Sequence, residues 1–197
     1  VRNVAEYVVA GERVPSVTEV LDVAGLVDYR DVPRQALDLA AARGQEVHHW
    51  IEVLDEGGEV SAVEPSVLGR LRAYQTFRDA EVFRREWSER TIVSQLYHFA
   101  GRPDLFGRIG GASLPAVIDV KPPGPVQPWW PVQVAGYAIA IESALGIPYV
   151  LGFVLELGND GRFKLRPRIT RDDRHDFLAA LRVAQFRLRH GMARMER

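Results

Sequence analysis

Pro103-Asp104-Leu105-Phe106, followed after the turn Gly110-Gly111-Ala112-Ser113 by Ala116-Val117-Ile118-Asp119-Val120-Lys121, is the stretch from which the architecture follows. Two apolar runs joined by a glycine-rich turn read as neighbouring strands. Asp104 and Asp119 then stand near the ends of those strands. Two convergent carboxylates repel unless a proton or a cation lies between them. A hard divalent ion such as Mg²⁺ takes oxygen ligands of this kind and leaves room for phosphate and water. Asp119 and Lys121 are two apart on a strand, so their side chains share a face. The Val120 carbonyl between them is a further candidate ligand. Lys121 is one of only two lysines against 23 arginines. Lys is a compact, strongly hydrated point charge where Arg is a fixed planar fork. An ammonium beside an acid suits the positioning of a water or the neutralising of charge that builds on a phosphate.

Outward from this core, the elements are marked by their ends. Ser16 and Glu19 form a capping-box pattern that starts a short helix. Pro33 opens a long helix with Leu37, Ala40, Ala41, Val47, Ile51 and Leu54 as its apolar stripe, closed by Gly57-Gly58. Gly44 interrupts the stripe at a cost of about 1 kcal/mol relative to Ala. A further helix is predicted from about Pro65 to Phe83. Three strands follow, at Thr91–Val93, Leu105–Phe106 and Ala116–Ile118, and Pro122-Pro123-Gly124-Pro125 stops the third. A helix near 132–145 precedes a buried strand over 149–157. Asn159-Asp160-Gly161 turns the chain back into an edge strand over 162–168. Thr170 caps the last helix, with Phe177, Leu181, Ala184 and Leu188 as its core face.

A 197-residue chain of 22.1 kDa is expected to be one domain, residues 1–197, with a proper core. It contains 47% hydrophobic and 26% charged residues and no cysteine, which excludes disulfides and thiolate metal sites. No apolar run is long enough for a membrane span, and no charged-then-apolar export signal opens the sequence. A cytoplasmic protein is therefore expected, with no membrane partner. The net charge of −1 is unevenly spread: residues 162–197 carry 11 basic and 4 acidic side chains. A basic end on a near-neutral chain can follow a phosphate backbone, and an arginine-lined last helix with Arg182, Arg187 and Arg189 is either such a lining or a solvated face. Trp129-Trp130 either stacks on unpaired bases or anchors a loop on the core.

Taken in order, these motifs resemble those of the PD-(D/E)xK nuclease superfamily, in its RecB-like and phage-exonuclease-like branch. Pro103-Asp104 is similar to the PD element and Asp119-Val120-Lys121 to the D/E-x-K element. Gln133-Val134-Ala135-Gly136-Tyr137 resembles the Q-x-x-x-Y signature of that branch. Gly44-Gln45-Glu46-Val47-His48 resembles its helical G-x-x-x-H element, and Glu89 stands where relatives often carry another acid. The resemblance implies an α/β (α+β), restriction-endonuclease-like core, with a mixed central sheet flanked by helices. It implies a metal-dependent deoxyribonuclease with one or two Mg²⁺ or Mn²⁺ ions, most simply an exonuclease that processes DNA ends in recombination, repair or phage replication. Asp104, Asp119, the Val120 carbonyl, His48 and Glu89 would hold metal. Lys121 would serve the water, and Gln133 and Tyr137 would contact the DNA backbone and the active centre. DNA, single-stranded or with free ends, would be the partner, along with a possible second copy or a recombination protein. A non-cleaving DNA-binding module of the same fold and a sequence-specific endonuclease are the alternatives.

Overall fold

A computed structural model describes residues 7–27, 32–61 and 63–195. A small hairpin, β1 (Tyr7–Val9) and β2 (Glu12–Val14), leads into helix α1 (Val17–Ala24). The predicted capping box is present: Ser16 Oγ accepts from the Glu19 N–H at 3.1 Å, and Glu19 accepts from the Ser16 N–H at 2.8 Å. Two orphan donors of the helix end are thereby satisfied. Helix α2 (Arg34–Asp55) follows Pro33, and α3 (Pro65–Ala80) has its proline in the first turn. Of the stripe expected on α2, Val47 and Ile51 are buried, whereas the first three turns remain largely exposed.

The main sheet contains β3 (Arg84–Ser88), β6 (Leu105–Arg108), β7 (Ala116–Lys121), β8 (Leu151–Leu157) and β9 (Phe163–Leu165), in the order β3-β6-β7-β8-β9. The β7–β8 pair is parallel and the others are antiparallel. Helix α4 (Trp130–Leu145) makes the crossover that a parallel pair requires, and α5 (Arg171–Arg189) ends the fold. The mixed sheet with flanking helices is the architecture expected from the sequence.

One strand placement is corrected. The segment expected as the sheet's first strand, Thr91–Val93, is β4 (Ile92–Ser94), which pairs with β5 (Phe99–Gly101) in a separate ribbon. The place beside β6 belongs instead to β3, which begins just after the expected helix end at Phe83, in a stretch for which no element was expected. Helix α3 ends at Ala80, and Val82 follows it with a positive φ of 48°, a conformation that a β-branched residue rarely adopts.

Alternation along β7 sorts two cores. Ile118 and Val120 face α2 and α3, where Tyr74, Phe77, Leu105, Leu155 and Leu157 complete one cluster. Val117 faces α1, α4 and α5, with Phe99, Phe106, Val134 and Phe177. Full burial of each such side chain contributes about 1.5–3 kcal/mol. Helix α4 is buried almost all round from Val132 to Ile141, which explains its small residues. At Gly136 an added Cβ would meet the Phe177 ring at 2.5 Å, so α4 and α5 approach at the distance only glycine permits.

Candidate active site

The two acids lie on neighbouring strands, β7 carrying Asp119 and the residue before β6 being Asp104. Asp104 Oδ2 accepts from the Val120 N–H at 2.6 Å, which fixes it against β7. Its Oδ1 faces His48, 3.5 Å from Nδ1, and the same nitrogen is 2.7 Å from Glu89 Oε1. His48 comes from α2, on the side of the sheet opposite α4. Neighbouring His49 is exposed, its ring beside Trp50, so His48 is the histidine that reaches the acids. Glu89 follows β3 with a φ of +47°. A non-glycine residue persists in that strained conformation only where its surroundings demand it. Here its N–H donates to the Asp104 carbonyl, and its carboxylate is held by His48 and by Arg102, whose Nε is 2.9 Å from Oε2.

Alternation sends Asp119 and Lys121 to the α4 side. Asp119 is only 2% exposed, and its Oδ2 is 2.7 Å from Lys121 Nζ. That contact is an ion pair, and no other donor among the described residues reaches the buried oxygen. Lys121 Nζ also donates to Gln133 Oε1 at 2.9 Å, and Gln133 Nε2 donates to the Tyr137 hydroxyl at 3.0 Å. The ring centroid of Trp129 is 5.5 Å from the ammonium, a cation–π distance.

The charges have been desolvated together. Burial, and then the neighbouring Asp104, push the Asp119 carboxyl up to about 6 against the pull of Lys121. Burial likewise raises Asp104, with His48 and Lys121 opposing and Glu89 adding to the rise. Burial works against a charged His48, yet Asp104, Glu89 and Asp119 outweigh it and raise this imidazole to about 9. Tyr137 is raised above an ordinary phenol by burial and then by Asp119 and Asp104, so it acts as a neutral hydroxyl. A pocket that holds a proton on histidine and lifts two aspartates carries more negative charge than it can settle alone.

Most of the residues singled out in the sequence come together. His48, Glu89 and Asp104 offer ligand atoms within 4.8 Å of one another, a group that could hold a metal ion. One imidazole with oxygen donors, and the Asp119 carboxylate behind them, suits Mg²⁺ or Mn²⁺ chemically. Val120 takes part through its N–H. Gln133 and Tyr137 are 4% and 6% exposed and reach Lys121, so their geometry is that of a support under the ammonium. Trp129 is half-buried, edge-on to Trp130 at 6.4 Å, and both anchors the loop and borders the site. Arg182 and Arg189 lie exposed on α5, which packs on α1 and α4, and they are not drawn into the cluster. Arg102 reads in the sequence as an ion partner for Asp104 or Asp119, whereas it pairs with Glu89. Sequence reasoning missed Glu156, in register with Lys121 across β7–β8 and ion-paired to Arg166. An acid at the end of a buried strand was the available signal for Glu156.

No protein-family profile matches the chain, and no curated protein matches it. Solved structures do. A candidate exonuclease from Eubacterium rectale superposes with a TM-score of 0.59 at 17% identity, covering 93% of this chain and 84% of that one. The fold is nuclease-like. At that identity the likeness is one of fold alone. LHK-Exo in complex with dAMP is more distant, at a TM-score of 0.41 and 14% identity over 91% of this chain and 94% of that one. The alkaline exonuclease LHK-Exo from Laribacter hongkongensis gives 0.38 and 17%, over 90% and 92%. These weaker likenesses carry no argument about the site.

Proposed function

We propose that this chain is a divalent-metal-dependent deoxyribonuclease acting on DNA ends. The observation that carries the reading is the convergence of His48, Glu89 and Asp104 on one side of β7 with the Asp119–Lys121–Gln133 chain on the other. The fold shared with a candidate exonuclease supports it.

His48, Glu89, Asp104 and Asp119 would hold Mg²⁺ or Mn²⁺, as one ion or two. The ion supplies Lewis acidity toward the phosphate and makes water more nucleophilic at neutral pH. The protein's part is electrostatic and geometric. Lys121, held by Gln133, places its ammonium where negative charge grows on the phosphate. Its position beside Asp119 also suits it to orient the water that attacks phosphorus. The P–O3′ bond breaks, the 3′ oxygen takes a proton, and the products are a 3′-hydroxyl and a 5′-phosphate. Trp129 beside the lysine offers a face on which a terminal base can stack.

The test is degradation of end-labelled linear and circular DNA, single- and double-stranded, in Mg²⁺, Mn²⁺ or EDTA, with Lys121→Ala in parallel. Metal-dependent loss of linear DNA, with circles spared and an inert variant, is the expected result. Equal inactivity of both proteins on every substrate, with DNA binding retained, would hand the fold to the non-cleaving reading. Cutting of circles would replace the exonuclease by an endonuclease.

A further inference from the structure

Beside the cluster, a crevice runs between α2 and α3 and is lined by Ala40, Gly44, His48, Arg70, Val120 and Lys121. It joins the exposed start of α2 to the C-terminal end of β7. Arg70, on α3, is half-buried in its wall. Its Nε donates to Asn159 Oδ1 at 2.9 Å. Among the described residues, no ion pair involves Arg70. Its charged neighbour is instead another cation, Arg43, whose field, after burial, lowers the Arg70 pKa.

The wall is built to hold this side chain. At Gly69, the residue before Arg70, an added Cβ would fall 1.8 Å from the Asn159 carbonyl, so the β8–β9 turn rests directly on α3. That close docking brings the Asn159 side chain to the Nε of Arg70 and leaves the other guanidinium donors for a ligand. At Gly44, across the crevice, a Cβ would meet nothing within 4 Å, so the opposite wall is open.

We infer that Arg70, with Arg43 beside it, binds a backbone phosphate of the nucleic-acid strand next to the one held at His48 and Lys121. The inference rests on the nuclease reading above and adds a strand path to it. Guanidinium forks match phosphate oxygens in pairs. A guanidinium with no carboxylate partner among the described residues, in a groove that opens on the His48–Lys121 cluster and with Arg43 close enough to add its field, attracts the next anion along a phosphodiester strand. Asn159 is a positioning residue in this arrangement, since it touches Arg70 and not the strand.

The experiment is anisotropy of a labelled single-stranded oligonucleotide with the full chain, in Ca²⁺, over a series of KCl concentrations. It compares wild type, Arg70→Gln, Arg70→Lys and Asn159→Ala, each checked for an unchanged thermal transition. Loss of one phosphate contact lowers the slope of log K against log salt by about 0.7. Arg70→Gln is expected to show that loss and roughly fivefold to tenfold weaker binding at fixed salt. Arg70→Lys should keep the slope, and Asn159→Ala should weaken binding without changing it. An unchanged slope in Arg70→Gln, with wild type binding and cutting, overturns the strand path and leaves the nuclease standing. Competition by inorganic phosphate that vanishes in Arg70→Gln, with its DNA slope intact, would assign the site to a free anion and equally overturn it. Wild type that neither binds nor cuts DNA removes the nuclease reading itself.

Discussion

Gln133 Oε1 accepts a hydrogen bond from Lys121 Nζ at 2.9 Å, across the gap between α4 and β7. A half-buried lysine has four rotatable bonds, and an acid alone fixes its charge but not its direction. The amide does fix it, because its own NH₂ is already given to Tyr137. Gln133→Ala should therefore cut single-turnover cleavage by about 10- to 100-fold, the scale of a misplaced reacting group. DNA affinity should change far less. Lys121→Arg should not rescue activity, since a planar fork cannot replace a point charge here. A Gln133→Ala enzyme that cuts at the wild-type rate would remove the glutamine from the machinery.

The cluster of His48, Glu89 and Asp104 should bind metal before it binds DNA. A ligand that binds only the folded protein stabilises it by RT ln(1 + [L]/Kd), about 2.7 kcal/mol at a hundredfold excess over Kd. Thermal unfolding of the wild type should shift upward with Mn²⁺, whereas Asp104→Asn and Glu89→Gln should respond weakly. Equal upward shifts in wild type and both variants would place the ion elsewhere.

The proton on His48 offsets part of the negative charge that Asp104, Glu89 and Asp119 gather around it. Its folded pKa of about 9 lies above the ordinary 6.5, because the attraction of Asp104, Glu89 and Asp119 exceeds the burial penalty. A raised pKa means that the folded state binds the proton more tightly. That contribution is complete below about pH 6.5 and is lost as pH rises towards about 9. Chelated protein should accordingly become easier to unfold in urea across that window, and His48→Gln should flatten the trend. Identical profiles for the two proteins would show that the imidazole does not titrate as its neighbours dictate.

Much of this arrangement was legible because its signals are local. Ser16-x-x-Glu19 caps α1, the Gly110-Gly111 turn joins β6 to β7, and Asp119 and Lys121 share a face by alternation alone. Strand β3 was not legible. Arg84-Arg85-Glu86-Trp87-Ser88 is an edge strand, and its one large apolar side chain, Trp87, earns its place by stacking on Phe106 at 4.6 Å. Strand preference of that kind lives in cross-strand packing, not in the segment. The same limit hid Arg70, whose meaning comes from a turn 89 residues away that rests on Gly69. Gln133 and Tyr137 were found by pattern, but their place beneath the lysine depends on how deeply α4 is buried.

That depth gives the last prediction. Helix α4 lies against α5 with Gly136 beneath the Phe177 ring, and the methyl of Gly136→Ala would sit 2.5 Å from it. Phe177 is fully buried among α1, α4 and α5 and cannot swing away freely. Overpacking of this kind costs about 1–3 kcal/mol, and either the ring or the helix must give. If α4 moves, Gln133 and Tyr137, three residues before and one after the glycine, move with it and Lys121 loses its guide. Gly136→Ala should then lower both the urea midpoint and the cleavage rate. The double variant Gly136→Ala/Phe177→Leu should recover the rate more fully than the stability, because a smaller side chain frees the helix but leaves the core less well filled. Stability lost with the rate untouched would show that the ring yields and the helix holds the lysine regardless.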